Sequence, residues 1–566
     1  MKHAILLAAF FMVLAPIIWA QEMVLDPNQY VNAQIAADTL PDGSQAHKVY
    51  KVESGKFYAF DGSLEVDFDL VIEGPYNGWI LNDPNPPVFL QTPSSSGAAR
   101  DMFNLRAGGS ITLKNILLSG LHGNDVNISS FVRNYGGYKI VWDNCAFTDY
   151  VDHCSRTTAP TEEITITNCV FINGVRRSSS PFGGMPIRID AACKKFTFEN
   201  NTSVNQAREF GNGGNFFTSK MYVLHNTYVN MQINAHELHW YEAIQANNIF
   251  YNWSWRGRMP NTNGYESYFT TWEYFSQVKE KLDSISLYHG FNAMYLDPRF
   301  LEFYKTRFAD TLKQCLLWNL DVDSTILADN NFRIGKNYWQ IDPKFIQPPN
   351  NLDSMLAWLE YHWFKGPVYR DWRIDPPVIY DANGQPILRW PPKFNLKYTN
   401  DTLLTGGTDG LPLGDLNWFP DKKAIYLANR EQIIAALRDS MTNAKYVYIP
   451  GDSASALITW KNYTSVEAYN SGVPTQYYLS NNYPNPFNPT TKFEFGLPEQ
   501  STVTITIYNI LGQKILETTE KNLAAGVYSF DFDASNLSSG IYIYNIKAAG
   551  VNGKNYVASK KMILMK

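Results

Sequence analysis

The sequence contains little cysteine, few charged residues and no long apolar run beyond its first twenty positions. Five cysteines in 566 residues are too few for a scaffold built on disulfides, and none forms a CxxC pair that would indicate zinc. The 48 basic and 53 acidic residues leave a net charge of −5, which does not favour nucleic acid as a partner. After residue 20, no stretch reaches the roughly 18 apolar residues of a membrane helix.

The first twenty residues are typical of a secretory signal peptide. Lys2 and His3 precede an almost wholly apolar run from Ala4 to Ala20, and Ala20 before Gln21 suits cleavage. The rest is several times longer than a typical domain of roughly 100–150 residues, so at least two domains are expected. Aromatic residues make up 15% of the chain, which argues against disorder.

A repeat organises the first half of the chain. The pattern apolar-x-apolar-x-Asn recurs at intervals of 22 to 32 residues. Its copies are Ile111–Asn115, Ile140–Asn144, Ile164–Asn168, Phe196–Asn200, Tyr222–Asn226 and Ile244–Asn248, with a seventh candidate at Ile326–Asn330.

Alternation with period two predicts strands with one buried face, and each closing Asn suits a left-handed turn residue. One coil of short strands fits each interval, and stacked coils would align the Asn side chains in a ladder, with Cys145 and Cys169 stacked in the core. Leucine-rich repeats have similar periods, but their Leu-x-x-Leu-x-Leu spacing is absent from this chain, and a β-sandwich would not place Asn at one position in six consecutive strands. Over about residues 45–335 the pattern resembles the right-handed parallel β-helix of the pectate-lyase-like superfamily.

Residues 21–462 are assigned to this β-helix domain and its insertions. The repeat is expected to break over residues 255–325. Helices are predicted at 271–282, 299–318, 352–363 and 430–441 from apolar residues at helical spacing.

The tail, residues 477–566, follows a linker at 463–476 and has a different pattern. Six short alternating segments separated by turn residues predict an immunoglobulin-like sandwich. The tail resembles the type A C-terminal sorting domain of the type IX secretion system. The resemblance is carried by Tyr483-Pro-Asn-Pro-Phe-Asn-Pro, Ile507-Tyr-Asn-Ile-Leu-Gly, Leu537-Ser-Ser-Gly-Ile-Tyr and the ending Lys561-Met-Ile-Leu-Met-Lys566. It implies the type IX machinery as a partner and a secreted or outer-membrane surface location.

In pectate-lyase-like proteins, the strand before each Asn strand faces the groove. We assign this position to segments beginning at Met102, Phe131, Pro186, Asn215 and His236. Alternation within these strands then turns charged side chains outward. The expected groove residues are Arg106, Arg133, Arg188, Asp190, Glu237 and His239, with aromatic Phe217, Tyr135, Trp253 and Trp255 nearby.

Stacked arginines suit the carboxylates or sulfates of an acidic polysaccharide. The main function hypothesis is a secreted lyase that cleaves an acidic (uronic-acid) polysaccharide by β-elimination, which needs a neutralised carboxylate and a base for the C5 proton. Arg188 or His239 is expected as the base, and Lys194 and Lys195 as cations facing the substrate.

Other interpretations stay open. Arg188 and Asp190 can form a purely structural pair, and the protein can be a non-catalytic glycan binder or adhesin. Hydrolysis would need two carboxylates, for which Asp190 and Glu237 are marginally spaced. No cofactor is evident: the resemblance suggests calcium, but Asp143, Asp321 and Asp323 are isolated rather than clustered.

Overall fold

A computed structural model describes residues 22–92, 99–122, 125–126, 128–175, 184–212, 216–233, 239–256, 285–308, 332–334, 336–443, 466–469, 474–534 and 537–565. The chain divides into two compact units, Met1–Thr459 and Trp460–Lys566.

The first unit is a parallel β-helix of three sheets, as the sequence predicted. One coil consists of Phe103–Leu105 in sheet B, Ser110–Lys114 in sheet A and Leu117–Ser119 in sheet C. Each strand pairs in parallel with the equivalent strand of the neighbouring coil. Apolar side chains from all three sheets fill the interior in one continuous core.

Among the described residues, sheet A has eleven strands: Glu22–Val24, Val49–Lys51, Asp69–Glu73, Ser110–Lys114, Lys139–Asp143, Thr161–Thr167, Cys193–Glu199, Phe217–Leu224, His239–Ala246, Ser286–Gly290 and Phe332–Ile334. Sheet B has six in that part of the chain: Leu64–Val66, Phe103–Leu105, Ser130–Asn134, His153–Thr157, Met185–Ile189 and Phe210–Gly211. Sheet C has ten within the same ranges: Phe57–Phe60, Val88–Gln91, Leu117–Ser119, Ala146–Tyr150, Val170–Gly174, Thr202–Gln206, Thr227–Met231, Ile249–Tyr251, Ala293–Tyr295 and Tyr338–Trp339.

The predicted interruption at residues 255–325 is partly wrong. Ser286–Gly290 and Ala293–Tyr295 form a further coil of sheets A and C inside that interval. Tyr288–Asn292 is in register with the copy Ile244–Asn248, but Gly290 stands at its third, apolar position, and Phe291 adopts the left-handed conformation. The proposed seventh copy at Ile326–Asn330 and the helix at 271–282 lie outside the described residues.

The corner between sheets A and C is a left-handed turn, as expected from the Asn repeat. Asn115, Asn144, Asn168 and Asn200 have φ values between 54° and 60°. At the same register position in the later coils, His225 and Asn247 adopt this conformation, so the predicted copies that end at Asn226 and Asn248 are displaced by one residue. The residue after the turn is buried in the interior. This interior position carries the hydrogen-bonded amide ladder, formed by Asn201, Asn226, Asn248, Asn292 and Asn337.

In the two coils before Asn201, cysteines fill the same interior position. The backbone N–H of Cys169 donates to Asn201 Oδ1 at 2.8 Å, and that of Cys145 lies 3.4 Å from Cys169 Sγ. Both side chains are buried, which confirms the predicted stacking. The cysteines therefore occupy positions that the amides fill in later coils.

A second ladder, which the sequence analysis did not predict, follows the strands of sheet C. Its members all have positive φ values, and each amide donates to the preceding member. They are Asp149, Asn173, Asn205, Asn230 and Asn252.

Two outer faces of the β-helix are covered by the chain that follows it. Apolar residues between Tyr338 and Phe419 pack on sheet C, and the helix Pro420–Asn443 packs on sheet A. Arg430 of this helix forms a bidentate pair with buried Glu199. Short antiparallel pairs join Leu121–His122 to Asp125–Val126, Phe345–Gln347 to Asn395–Tyr398, and Val378–Tyr380 to Pro386–Leu388.

The other helices in the described ranges are short. The α-helices there are Val31–Ala37, Pro298–Phe308, Leu352–Phe364 and Asp401–Leu404, and Ile80–Asn82 and Leu416–Trp418 are 3₁₀ turns. Leu352–Phe364 confirms the helix predicted at 352–363. The helix predicted at 430–441 begins ten residues earlier, at Pro420, a residue favoured in the first turn of a helix.

The second unit has two antiparallel sheets. The first orders Val466–Tyr469, Gly526–Asp533, Thr490–Leu497 and Tyr478–Leu479, and the second orders Lys514–Leu523, Ser501–Asn509, Gly540–Gly550 and Asn555–Leu564. Their apolar faces share one core, in which Phe493 and Tyr544 stack with ring centroids 4.2 Å apart. This is the sandwich that the six alternating segments predicted.

Candidate functional site

Three arginines are stacked on consecutive strands of sheet B. Arg133 is in register with Arg156, and Arg156 is in register with Arg188. Strands of one sheet lie about 4.8 Å apart, so the three side chains start at that spacing along the β-helix. We call this set the arginine row.

Asp190 holds two members of the row. Arg188 Nε donates to both carboxylate oxygens of Asp190, at 2.9 and 3.0 Å, and Arg156 Nε donates at 2.7 Å. Burial raises the pKa of Asp190, but these two guanidinium groups outweigh it and hold the pKa below its usual range. One carboxylate therefore faces two guanidinium groups, and both arginines are about 30% exposed.

Arg106 and Tyr135 extend the row towards the N-terminal coils. Arg106 pairs with Glu65 and places its guanidinium 4.6 Å from the centre of the Tyr135 ring. Arg133 lies 5.8 Å from the same ring. Tyr135 is 44% exposed, so it offers an aromatic surface beside two cations.

His153 lies on the same strand as Arg156 but is buried. Burial lowers its pKa to about 3; Asp152 opposes this shift, and Arg188, Arg156 and Arg133 add to it. The imidazole is therefore neutral at physiological pH and adds no charge to the row. A base with so low a pKa accepts protons poorly near neutral pH.

Four of the predicted groove residues come together on sheet B. Arg106, Arg133, Arg188 and Asp190 follow the strands expected to face the groove. The pair of Arg188 with Asp190, which the sequence left open as a structural interaction, is present. The same carboxylate also binds Arg156, a residue that the sequence analysis missed.

His239 and Phe217 lie elsewhere, and the expectation that His239 points outward is wrong. The two residues begin the sheet A strands His239–Ala246 and Phe217–Leu224, where their side chains are 3% and 6% exposed. Their rings lie 5.2 Å apart. The described residues of these two segments belong to sheet A strands and not to sheet B. Trp253 and Trp255 are likewise buried.

Lys194 and Lys195 lie on sheet A, in the strand Cys193–Glu199. They pair with Glu162 at 2.6 Å and with Glu163 at 3.5 Å, in cross-strand contacts on a different sheet from the arginine row. Glu237 lies outside the described residues, as do Asp321 and Asp323. Asp143 Oδ1 accepts from Thr167 and Asn168, and the described chain contains no group of three side chains suited to a metal ion.

Comparison with known families identifies the tail. Residues 481–565 match the model of the secretion system C-terminal sorting domain. No curated protein matches the chain significantly. The protein is therefore exported by the type IX secretion machinery, with which the tail interacts, to the cell surface or beyond. In the described part of the chain, no helix is long and apolar enough to cross a membrane.

Proposed function

We propose that the β-helix binds an acidic polysaccharide along the arginine row. The observation that carries the proposal is the register of Arg133, Arg156 and Arg188, which places three guanidinium groups in one line with a single carboxylate between two of them. Guanidinium groups bind carboxylates and sulfates through paired hydrogen bonds. A polymer with repeated anions can occupy such a row at several positions at once.

The residues around the arginine row favour a sugar chain over a compact anion as the ligand. Tyr135 provides an exposed ring next to Arg106 and Arg133, and an aromatic ring can pack against the C–H face of a sugar. The export of the protein to the cell surface or beyond would bring the row into contact with extracellular polymers.

Cleavage by β-elimination is the second candidate function. The arginine row could neutralise a uronate carboxylate, which would make the C5 proton easier to remove. Arg188 remains the proposed base from this face, although its Nε donates to Asp190 and would need to give up that contact. His239 is not part of this proposal, because its ring is buried in sheet A.

The test is titration of the full chain with pectate, alginate, chondroitin sulfate and heparin, with dextran as an uncharged control. We expect binding to at least one acidic polymer that weakens as salt is raised. Arg156→Gln should weaken it about tenfold through the loss of charge-assisted hydrogen bonds. Arg307→Gln, an exposed arginine on the helix Pro298–Phe308, is the matched control and should bind normally.

Binding that does not distinguish the two variants, or equal binding to dextran, would contradict the proposal. Ultraviolet absorbance of unsaturated uronate, followed in the same mixtures, separates the two candidate functions. A rise that Arg188→Ala abolishes supports β-elimination. Binding without any rise leaves glycan binding as the function.

A further inference from the structure

A polar cavity of about 330 Å³ lies at the edge of sheet A where the strands turn towards sheet C. It is on a different sheet from the arginine row, so the inference drawn from it does not rest on the proposed function. Its volume is within the range of small-molecule sites, roughly 300–1,000 Å³.

The floor of the cavity is a row of alternating charges. Glu73, Lys114 and Asp143 are in register on three consecutive strands of sheet A. Lys423, from the helix Pro420–Asn443, completes the lining and lies close enough to Asp143 for the two charges to interact. The two carboxylates and two ammonium groups of the lining cancel. Glu73 is also paired with Lys51 at 3.0 Å, and Lys51 contacts Glu22 at 3.3 Å, so these neighbours add no net formal charge.

One wall is fixed in place by hydrogen bonds from the Asn turns. Asn144 Nδ2 donates to Gly78 O and its Oδ1 accepts from the Ile80 N–H, both at 2.7 Å, while Asn115 Nδ2 donates to Gly74 O at 3.1 Å. The Trp79 indole N–H donates to Asn168 O at 3.1 Å. The segment over the turns is therefore anchored at several points, and the cavity is formed before any ligand arrives.

Two lining side chains keep their hydrogen-bonding groups for a ligand. Within the described residues, Lys114 Nζ and the Asn77 amide make no hydrogen bond or ion pair with another side chain or with the backbone. Asn77 is exposed at the rim, and Lys114 is half-buried on the floor. Together they offer donors and an acceptor on opposite sides of the space.

We propose that this cavity binds a neutral sugar residue. Hydroxyl groups both donate and accept, which matches a lining of carboxylates, ammonium groups and amides in balance. A charged ligand would disturb the cancelled charges, and an apolar ligand would leave polar groups buried without partners.

The test is saturation-transfer NMR on the full chain with glucose, galactose, mannose, xylose and rhamnose, with glucuronate and glycine as charged comparators, followed by calorimetry. At least one neutral sugar should bind. Lys114→Met and Asn77→Ala should each weaken it about tenfold, the effect expected for one lost hydrogen bond involving a charged or well-placed group. Lys139→Met, a lysine of the neighbouring strand outside the cavity, should bind like the unmodified chain.

Several results would overturn this inference. It is overturned if no neutral sugar binds, or if glucuronate or glycine binds more tightly than the neutral sugars. It is also overturned if Lys139→Met weakens binding as much as Lys114→Met does. Loss of neutral-sugar binding in Arg156→Gln would assign it to sheet B and also overturn the inference. Because Asn77 is exposed, Asn77→Ala tests the cavity without altering the core, and thermal unfolding checks that both variants fold.

Discussion

Replacing Asp149 with asparagine should make the stability of the β-helix less sensitive to pH. Asp149 occupies a position in the second ladder that asparagine fills in the next four members, and its φ of 55° matches theirs. Its Oδ1 accepts from Asn173 at 2.9 Å, whereas Oδ2 has no hydrogen-bond partner among the described residues. Burial raises the pKa to about 6, against the opposing effects of Asn173 and of the charge on Arg373.

The size of the effect follows from the two pKa values. The folded pKa of about 6 lies above the unfolded value of 3.8, so the folded state binds the proton more tightly. Stability is therefore lost as the pH rises through this interval, at about 1.4 kcal/mol for each unit of difference. The full cost of ionising Asp149 is about 3 kcal/mol, of which about 2 kcal/mol falls between pH 4.5 and pH 8.

Urea unfolding of the full chain and of Asp149→Asn at several pH values measures this difference. The variant should gain on the unmodified chain by about 2 kcal/mol from pH 4.5 to pH 8. Asn230→Asp, which places a carboxylate at another position of the same ladder, should show the opposite trend. A free-energy difference between Asp149→Asn and the unmodified chain that does not change with pH would refute the reasoning.

Other predictions concern buried groups elsewhere in the first unit. Asn226→Ala should lower the free energy of unfolding by about 3 kcal/mol, since it strips partners from both neighbours in the amide ladder, whereas Asn429→Ala on an exposed helix surface should cost less than about 1 kcal/mol in the same urea assay. Arg430→Met should lower the free energy of unfolding by about 3 kcal/mol because it leaves Glu199 buried and unpaired. Arg438→Met should lower it by less than about 1 kcal/mol because the pair of Arg438 with Glu242 is more exposed, and an equal loss in the two variants would contradict this reasoning. Burial should keep four thiols unreactive to iodoacetamide until urea unfolds the chain, as peptide mass spectrometry would show; they are Cys145, Cys154, Cys169 and Cys193.

The repeated coil could be predicted from sequence because its signal is local. Each sheet A strand alternates apolar and polar residues and ends at a turn that favours Asn, so two independent requirements coincide within five residues. The sequence also contained a local signal for the second ladder. Asn173 and Asn205 each follow the Asn of the first corner by five residues, and that fixed offset would have located it.

The candidate site was harder to predict because the sheet B strand of Arg156 lacks a clear apolar pattern. In the strand of Arg156, Ser155 and Thr157 fill buried positions, so alternation does not reveal the strand. In the later coils, the strands that begin at Phe217 and His239 are eight residues long, and their burial does not alternate strictly over that length. Period two identifies a strand but not the sheet to which its first residues belong. The pairing register, which brings the three arginines together, depends on the number of residues in each coil.

Two corners of the β-helix differ in how much the length of their connections varies from coil to coil. Two residues link sheet A to sheet C in seven coils of the described chain, whereas the connection that leaves sheet C for sheet B ranges from two residues after Tyr150 to eleven after Gln91. Insertions at the variable corner leave the register of the stacked strands unchanged. They also enter next to the strands that carry the arginine row. Related proteins can therefore evolve new ligand preferences, and engineers can graft new loops, by changing this corner while the frame stays constant.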